Sequence, residues 1–230
     1  MVIGNGMIAK RFSAYANDDQ WLIFASGVSH SLSIKEEEFQ REQVLLEKTV
    51  QDAGAKTLVY FSTCSIYDPS MQRSAYVLHK LRMEDLIKNQ AASWIIFRVS
   101  NPVGITNNKH TVLNYFVAHI CTQTFFTVWK NASRNLLDID DMYLICERVM
   151  HSDLYSNHIL NIANPENYPA PEIVGAVENH FNIKGHFEVL EKGNSPQVDT
   201  TAIQPFFDEL DIEFGQHYMK RLLEKYFPTT

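Results

Sequence analysis

Residues 57–80 read TLVYFSTCSIYDPSMQRSAYVLHK, and the way this stretch divides decides the fold. "TLVYF" (57–61) is a short continuous apolar run, "STCSIYDPSMQR" carries the Asp, Pro and Ser of a loop, and helical spacing takes over from about Ser74 to Gln90. An uninterrupted apolar strand followed by a helix is the mark of a parallel sheet covered on both faces, because neither side of the strand meets water. The same unit flanks it. "WLIFA" (21–25) precedes a helix expected over 35–53, and "WIIFRV" (94–99) follows the helix at 74–90. At the start, Val2-Ile3 runs into "GNGMIAKRF", a glycine turn opening a helix expected to reach about Asn17.

Smaller signals set the boundaries. Ser33 and Glu36 have the S-x-x-E spacing of a capping box, and Gly54 suits the left-handed residue that ends a helix. After Gly104 come the polar loop "NNKH", a helix in "TVLNYFVAHICTQ", a strand in "FFTVW" and a strand-helix pair in "NLLDIDDMYLICERVM" beginning its helix near Asp140. "HILNIA" reads as a strand, Pro171 opens a helix, "FEVL" is a last strand, and "EKYF" belongs to a docking helix. Phe125, Phe126 and Trp129 suit either a buried strand or the wall of a base pocket. The layout predicts an α/β protein: a core over 1–104, and over 105–230 a smaller region with some segments returning to the core.

The 230 residues are 45% hydrophobic, enough to bury a sizeable core. Net charge is −7 and no Lys/Arg run exceeds two, which argues against nucleic acid or an anionic membrane as partner. No apolar stretch nears the roughly 20 residues of a membrane span. Three scattered cysteines, the absence of a signal-like start and the absence of ligand-spaced histidines predict a cytoplasmic protein with neither disulfide nor metal site.

Two motifs carry chemistry. Gly4-Asn5-Gly6-Met7-Ile8-Ala9 is a G-x-G-x-x-A turn between strand and helix, where glycines permit a tight turn and close approach of the backbone to a pyrophosphate. Of ten tyrosines, only Tyr76 has a lysine at i+4, Lys80. One turn apart on a helix the two share a face, and a nearby ammonium stabilises a phenolate, which can then exchange a proton with an alcohol or carbonyl. Taken alone, the pair also describes a half-buried tyrosine beside a solvated lysine.

The motifs do not stand alone. "GNGMIA", "FSTCSIYD", "SAYVLHK", "RVSNPVG", "RNLLDIDDM" and "NIANPENYPAPEIVGAV" resemble, in order, the landmarks of the extended short-chain dehydrogenases/reductases, the group containing NAD-dependent epimerases, dehydratases and 4-keto-reductases of nucleotide sugars. The resemblance implies a Rossmann-like parallel sheet with helices on both faces and a small C-terminal α/β substrate-binding region. It implies NAD or NADP as cofactor, held by Gly4, Asn5, Gly6, Met7, Ile8, the loop residues Ala25, Ser26 and Gly27, and Tyr76 and Lys80. Tyr76 is then the acid/base, Lys80 the ribose ligand and Thr63 the hydroxyl that polarises the substrate oxygen, with Ser62 in its place if the register slips. Ser65, Asn101 and Arg134 are expected to meet a nucleotide-sugar substrate. The family's four-helix dimer contact, carried over to 35–53 and 74–90, predicts a possible homodimer.

One departure is large. Only 72 positions separate Gly4 from Tyr76. "WLIFASGVSHS" resembles the family's fourth strand and its loop, so the second and third strands are expected to be missing, leaving Met1–Ile3 at the sheet edge; a later deletion, with "WLIFA" as the second strand, is the other reading. Two functions follow. One is NAD(P)-dependent 4-keto-reduction or epimerisation of a nucleotide-activated sugar. The other is a degenerate member that binds a nucleotide sugar or a partner protein without redox chemistry.

Overall fold

The computed structural model of the chain describes every residue except 107, 109, 110, 153 and 230, so most of the expected "NNKH" loop lies outside the described residues. Val2–Ile3 forms β1, and α1 (Met7–Arg11) follows the glycine turn. Trp21–Phe24 is β2, α2 is Glu36–Asp52, β3 is Thr57–Thr63, α3 is Ala75–Gln90 and β4 is Trp94–Val99. Together with β9 (His158–Ile162) the strands make one parallel sheet in the order β1-β2-β3-β4-β9. The sheet is reduced in strand number and its first strand is the edge, with two residues of pairing, Val2 on Ile23 and Ile3 on Phe24.

Alternation along each strand feeds two separate cores, which is why the strands are apolar throughout. Leu22, Phe24, Leu58, Tyr60 and Ile96 pack against Leu46, Val50, Met83 and Ile87 of α2 and α3. Ile23, Val59, Phe61, Ile95 and Phe97 face Phe12 and the Met142, Tyr143, Cys146 and Val149 side of α5 (Ile139–Met150).

The remaining elements are β5 (Asn101–Val103), α4 (Val112–Cys121), β6 (Phe126–Trp129), β7 (Ser133–Arg134) and β8 (Leu136–Asp138), then β10 (Tyr168–Pro169), α6 (Ala170–Phe181), β11 (Phe187–Leu190), α7 (Gln204–Glu209) and α8 (Tyr218–Tyr226). They form three two-stranded ladders, β5 with β8, β6 with β11 and β7 with β10, around a third core containing Phe116, Ile120, Val128, Ile173, Val177 and Leu222. Phe126 is buried there, whereas Phe125 and Trp129 are exposed. Lys225 and Tyr226 of α8 dock on the buried carboxylate of Asp138 at 2.7 and 2.6 Å.

Two local expectations change. The first helix stops at Arg11 and passes into a 3-10 turn at Ser13–Tyr15, because fully buried Phe12 turns inward onto Phe61 and Tyr143. Lys35, not Ser33, is the N-cap of α2; the glutamate three residues on is Glu38, and Ser33 Oγ donates to it at 2.7 Å while Glu36 takes no part. The helix that follows β8 is capped by Asp138, which accepts from the Asp140 N–H, so Asp140 is free to pair with Arg11 and Lys225. Gly54 does take the left-handed conformation after α2, at φ +59°.

Candidate active site

The carboxyl ends of β1, β2, β3 and β4 carry the glycine turn, Ala25–Gly27, Thr63 and Asn101 to one end of the parallel sheet. Gly4 has φ +130°, and a Cβ there would collide with the Ala25 carbonyl, so only glycine lets β1 turn against the end of β2. Gly6 caps α1 with open space above it, Asn5 is exposed, and Met7 and Ile8 are half-buried. Gly104 has the opposite role: a Cβ would lie 2.7 Å from both Met7 Sδ and Ile139 Cγ2, so its bareness seats α1 against α5.

Ser62 and Thr63 point to opposite faces of β3. Ser62 Oγ donates to Glu84 Oε1 at 2.6 Å, and buried Glu84 is clamped in turn by Arg98 through Nε at 2.9 Å and Nη2 at 2.6 Å. Thr63 starts the loop instead, accepting from the Ser65 N–H and donating to Ser65 Oγ, both at 3.0 Å. The residue free of the Glu84 network is thus Thr63, with Ser65 against it.

Ser74 caps α3 through the Val77 N–H, which fixes Tyr76 in the first turn. Tyr76 is 7% exposed and packs with Val28, Phe39 and Val77, and with Ile66 of the loop after Thr63. Its hydroxyl has no hydrogen-bond partner among the described residues. Lys80 is 2% exposed, and its three N–H groups have three protein acceptors: Glu42 Oε1 at 2.9 Å, Tyr60 Oη at 3.2 Å and the Phe61 carbonyl at 3.4 Å.

Glu42 organises this cluster. It is fully buried and accepts from the Val28 N–H at 2.6 Å and Tyr60 Oη at 2.6 Å as well as from Lys80, while His79 Nε2 lies 3.1 Å away without the alignment of a hydrogen bond. Burial alone would raise this carboxyl, but Lys80 and the surrounding donors outweigh it and hold Glu42 well below the ordinary carboxylate range. Burial, reinforced by Glu42, keeps Tyr60 protonated far above its usual range. Sequence reasoning missed Glu42 and Glu84. The signal was a charged residue inside an apolar helical stripe: Phe39, Glu42, Leu46 and Thr49 on α2, and Val77, Lys80, Glu84 and Ile87 on α3.

Among the described residues, no hydrogen bond links the other substrate candidates, Asn101 and Arg134, to Tyr76 or Lys80. Asn101 Nδ2 donates to the Asn135 carbonyl at 2.9 Å. Arg134 is half-buried and donates from Nη1 to the Ser133 carbonyl at 2.7 Å; burial lowers its pKa against the opposing pull of Asp68. Among the described residues no cluster of His, Cys, Asp and Glu could hold a metal, and no helix is long and apolar enough to cross a membrane.

Layered parallel strands, a glycine turn after the first of them and a Tyr-x-x-x-Lys helix define a Rossmann-type fold. The chain belongs to the NAD dependent epimerase/dehydratase family, whose model matches residues 22–163. That match begins beyond the glycine turn, inside β2, and runs just past the end of β9. No curated protein sequence matches the chain. Among solved structures it is similar to the UDP-glucose 4-epimerase of Thermus thermophilus in complex with NAD, at 15% identity and TM-score 0.70, covering 94% of this chain and 80% of that one. The Bordetella bronchiseptica enzyme WbmH with NAD+ superposes at TM-score 0.72 and 16% identity over 96% and 78% of the two chains. UDP-glucuronic acid 4-epimerase from Bacillus cereus, with UDP-glucuronic acid and NAD, gives 0.71 and 15% over 96% and 77%.

A nicotinamide dinucleotide fits these residues unevenly. Above Gly6 the space is open, where an anion could approach the backbone, and the Tyr76 hydroxyl is unengaged among the described residues; Gly4, by contrast, is packed on the Ala25 carbonyl, and Lys80 as placed has no donor left for a ribose.

Proposed function

We propose that the protein is an NAD(P)-dependent enzyme that epimerises or reduces a nucleotide-activated sugar, with Tyr76 as its acid/base. The observation that carries this reading is the contrast at the buried end of β3 and α3. Tyr60, Ser62, Lys80 and Glu84 are all tied into ion pairs or hydrogen bonds, whereas the Tyr76 hydroxyl has no partner among the described residues. A buried side chain whose hydroxyl is not tied up by a protein partner is suited to pass a proton to a substrate oxygen.

In this reading Gly4, Asn5, Gly6, Met7 and Ile8, with Ala25, Ser26 and Gly27, hold the dinucleotide, which supplies hydride exchange when bound. Thr63 orients the sugar's hydroxyl or keto oxygen toward Tyr76, and Ser65 steadies Thr63. Asn101 and the partly desolvated guanidinium of Arg134 meet the sugar and diphosphate. Residues 1–104 serve as the dinucleotide-binding core and 105–230 mostly as the substrate region. Exposed Val44 and Leu78, on α2 and α3, suit pairing of two copies across those helices. The test is turnover of a panel of UDP- and dTDP-sugars by the wild type and by Tyr76→Phe. Loss of turnover in the variant, with the substrate still bound, is expected; equal turnover overturns the assignment.

A second reading, a family member that binds a nucleotide sugar or a protein partner without redox chemistry, draws on one observation. Lys80 is wholly engaged by Glu42, Tyr60 and Phe61.

A further inference from the structure

The segment from Ala25 to Ile34, between β2 and α2, lies over the Tyr76–Lys80 pair and is fastened to α2 at three points. The Arg41 guanidinium donates to the Ser26 carbonyl at 3.2 Å, Glu42 Oε2 accepts from the Val28 N–H at 2.6 Å, and Glu38 Oε2 accepts from Ser33 Oγ at 2.7 Å. Between these points the segment presses inward. Val28 is 5% exposed and packs on Phe39, Tyr76 and Val77. Gly27 sits so close to Lys80 that a Cβ there would collide with Nζ and lie 3.0 Å from Glu42 Oε1. Under this strap Tyr76 and Lys80 are nearly sealed from solvent, and the Glu42 carboxylate bonds both the strap and the lysine.

We infer that Glu42 is a latch. By holding the Val28 amide with one oxygen and the Lys80 ammonium with the other, it keeps residues 25–34 closed over the site, and a nicotinamide dinucleotide binds only to the form in which this strap has lifted. The inference rests on the proposed dinucleotide-dependent function and adds the residue that controls access. A chain that binds ligand only in a minor open form loses affinity in proportion to the closed fraction, so weakening the latch strengthens binding.

Val28→Ala tests this without removing a buried charge, since it strips the apolar contacts that seat the strap on Phe39 and Tyr76; Glu42→Gln is the second variant. Hydrogen exchange of the peptide covering 25–34 reports the strap. Calorimetric titration with NADH and NADPH reports binding. The strap is expected to be protected in the wild type and to exchange faster in Val28→Ala, and the same variant to bind dinucleotide at least about tenfold more tightly. Fast exchange of 25–34 in the wild type overturns the latch. So does equal affinity in wild type and variants, which leaves the dinucleotide-dependent reading standing. No binding by any of the three proteins, with the strap open in Val28→Ala, overturns both.

Discussion

Lys80→Met is the substitution that separates a lysine held for folding from one held for a ligand. In the structure Lys80 is the counter-ion of Glu42, with the two side chains 3% and 0% exposed and 2.9 Å apart. Removing one member of such a pair leaves a buried charge uncompensated and costs about 3–5 kcal/mol, a large part of the roughly 5–15 kcal/mol that a domain has in all. Glu42→Gln has a similar penalty on the lysine side but keeps an acceptor oxygen for Tyr60 or Val28. The double variant has neither charge, so its loss is expected to fall short of the sum of the single losses by about 2 kcal/mol. Urea unfolding of the four proteins, compared through midpoints at a common slope, reads this coupling. A Lys80→Met protein that unfolds at the wild-type midpoint, or a double variant equal to the sum of the singles, would refute the structural role.

Tyr76→Phe is expected to change stability by less than about 0.5 kcal/mol, because the lost hydroxyl has no partner among the described residues; thermal unfolding checks this against the large effect expected on turnover. Gly4→Ala is expected to cost more than about 1 kcal/mol, since it forces a side chain into φ +130° and against the Ala25 carbonyl; its denaturation midpoint decides. Acid is expected to destabilise the protein. The carboxyls of Glu42 and Asp140 are both held below their ordinary range against the pull of burial, the first chiefly by Lys80 and the second by Lys225 and Arg11. The unfolded chain therefore binds more protons. Stability is complete above the unfolded carboxylate value of about 4 and falls as pH drops toward the folded values, which a pH series of melting temperatures follows.

Much of the frame was legible because apolar continuity is a direct consequence of burial on both faces. "WLIFA", "TLVYF" and "WIIFRV" became three adjacent strands, and β1 fell at the sheet edge as expected from the shortened first half. The boundaries of α1 and the cap of α2 were not legible, since Phe12 obeys the tertiary core and Ser33 bonds a glutamate two residues further on than the box requires. Within the site, Tyr76 and Lys80 could be named from their spacing, but not the partner that engages the lysine. Glu42 lies in "EEEFQREQ", where a carboxylate reads as one of several surface charges, and its burial depends on a lysine 38 positions away. Ser62 and Thr63 differ by one residue, and only the pleat of β3 shows which belongs to the Glu84 network.

The most direct test follows two readouts while UDP- and dTDP-sugars are added to protein saturated with NAD(P) or NAD(P)H: the absorbance of reduced nicotinamide, which reports net reduction, and chromatography of the sugars, which reports epimers formed with no net change of the cofactor. Reduced or epimerised sugar in the wild type, absent from Tyr76→Phe, is the expected result. Protein that demonstrably holds the dinucleotide, yet neither reduces nor epimerises any of the sugars, would contradict the proposed function.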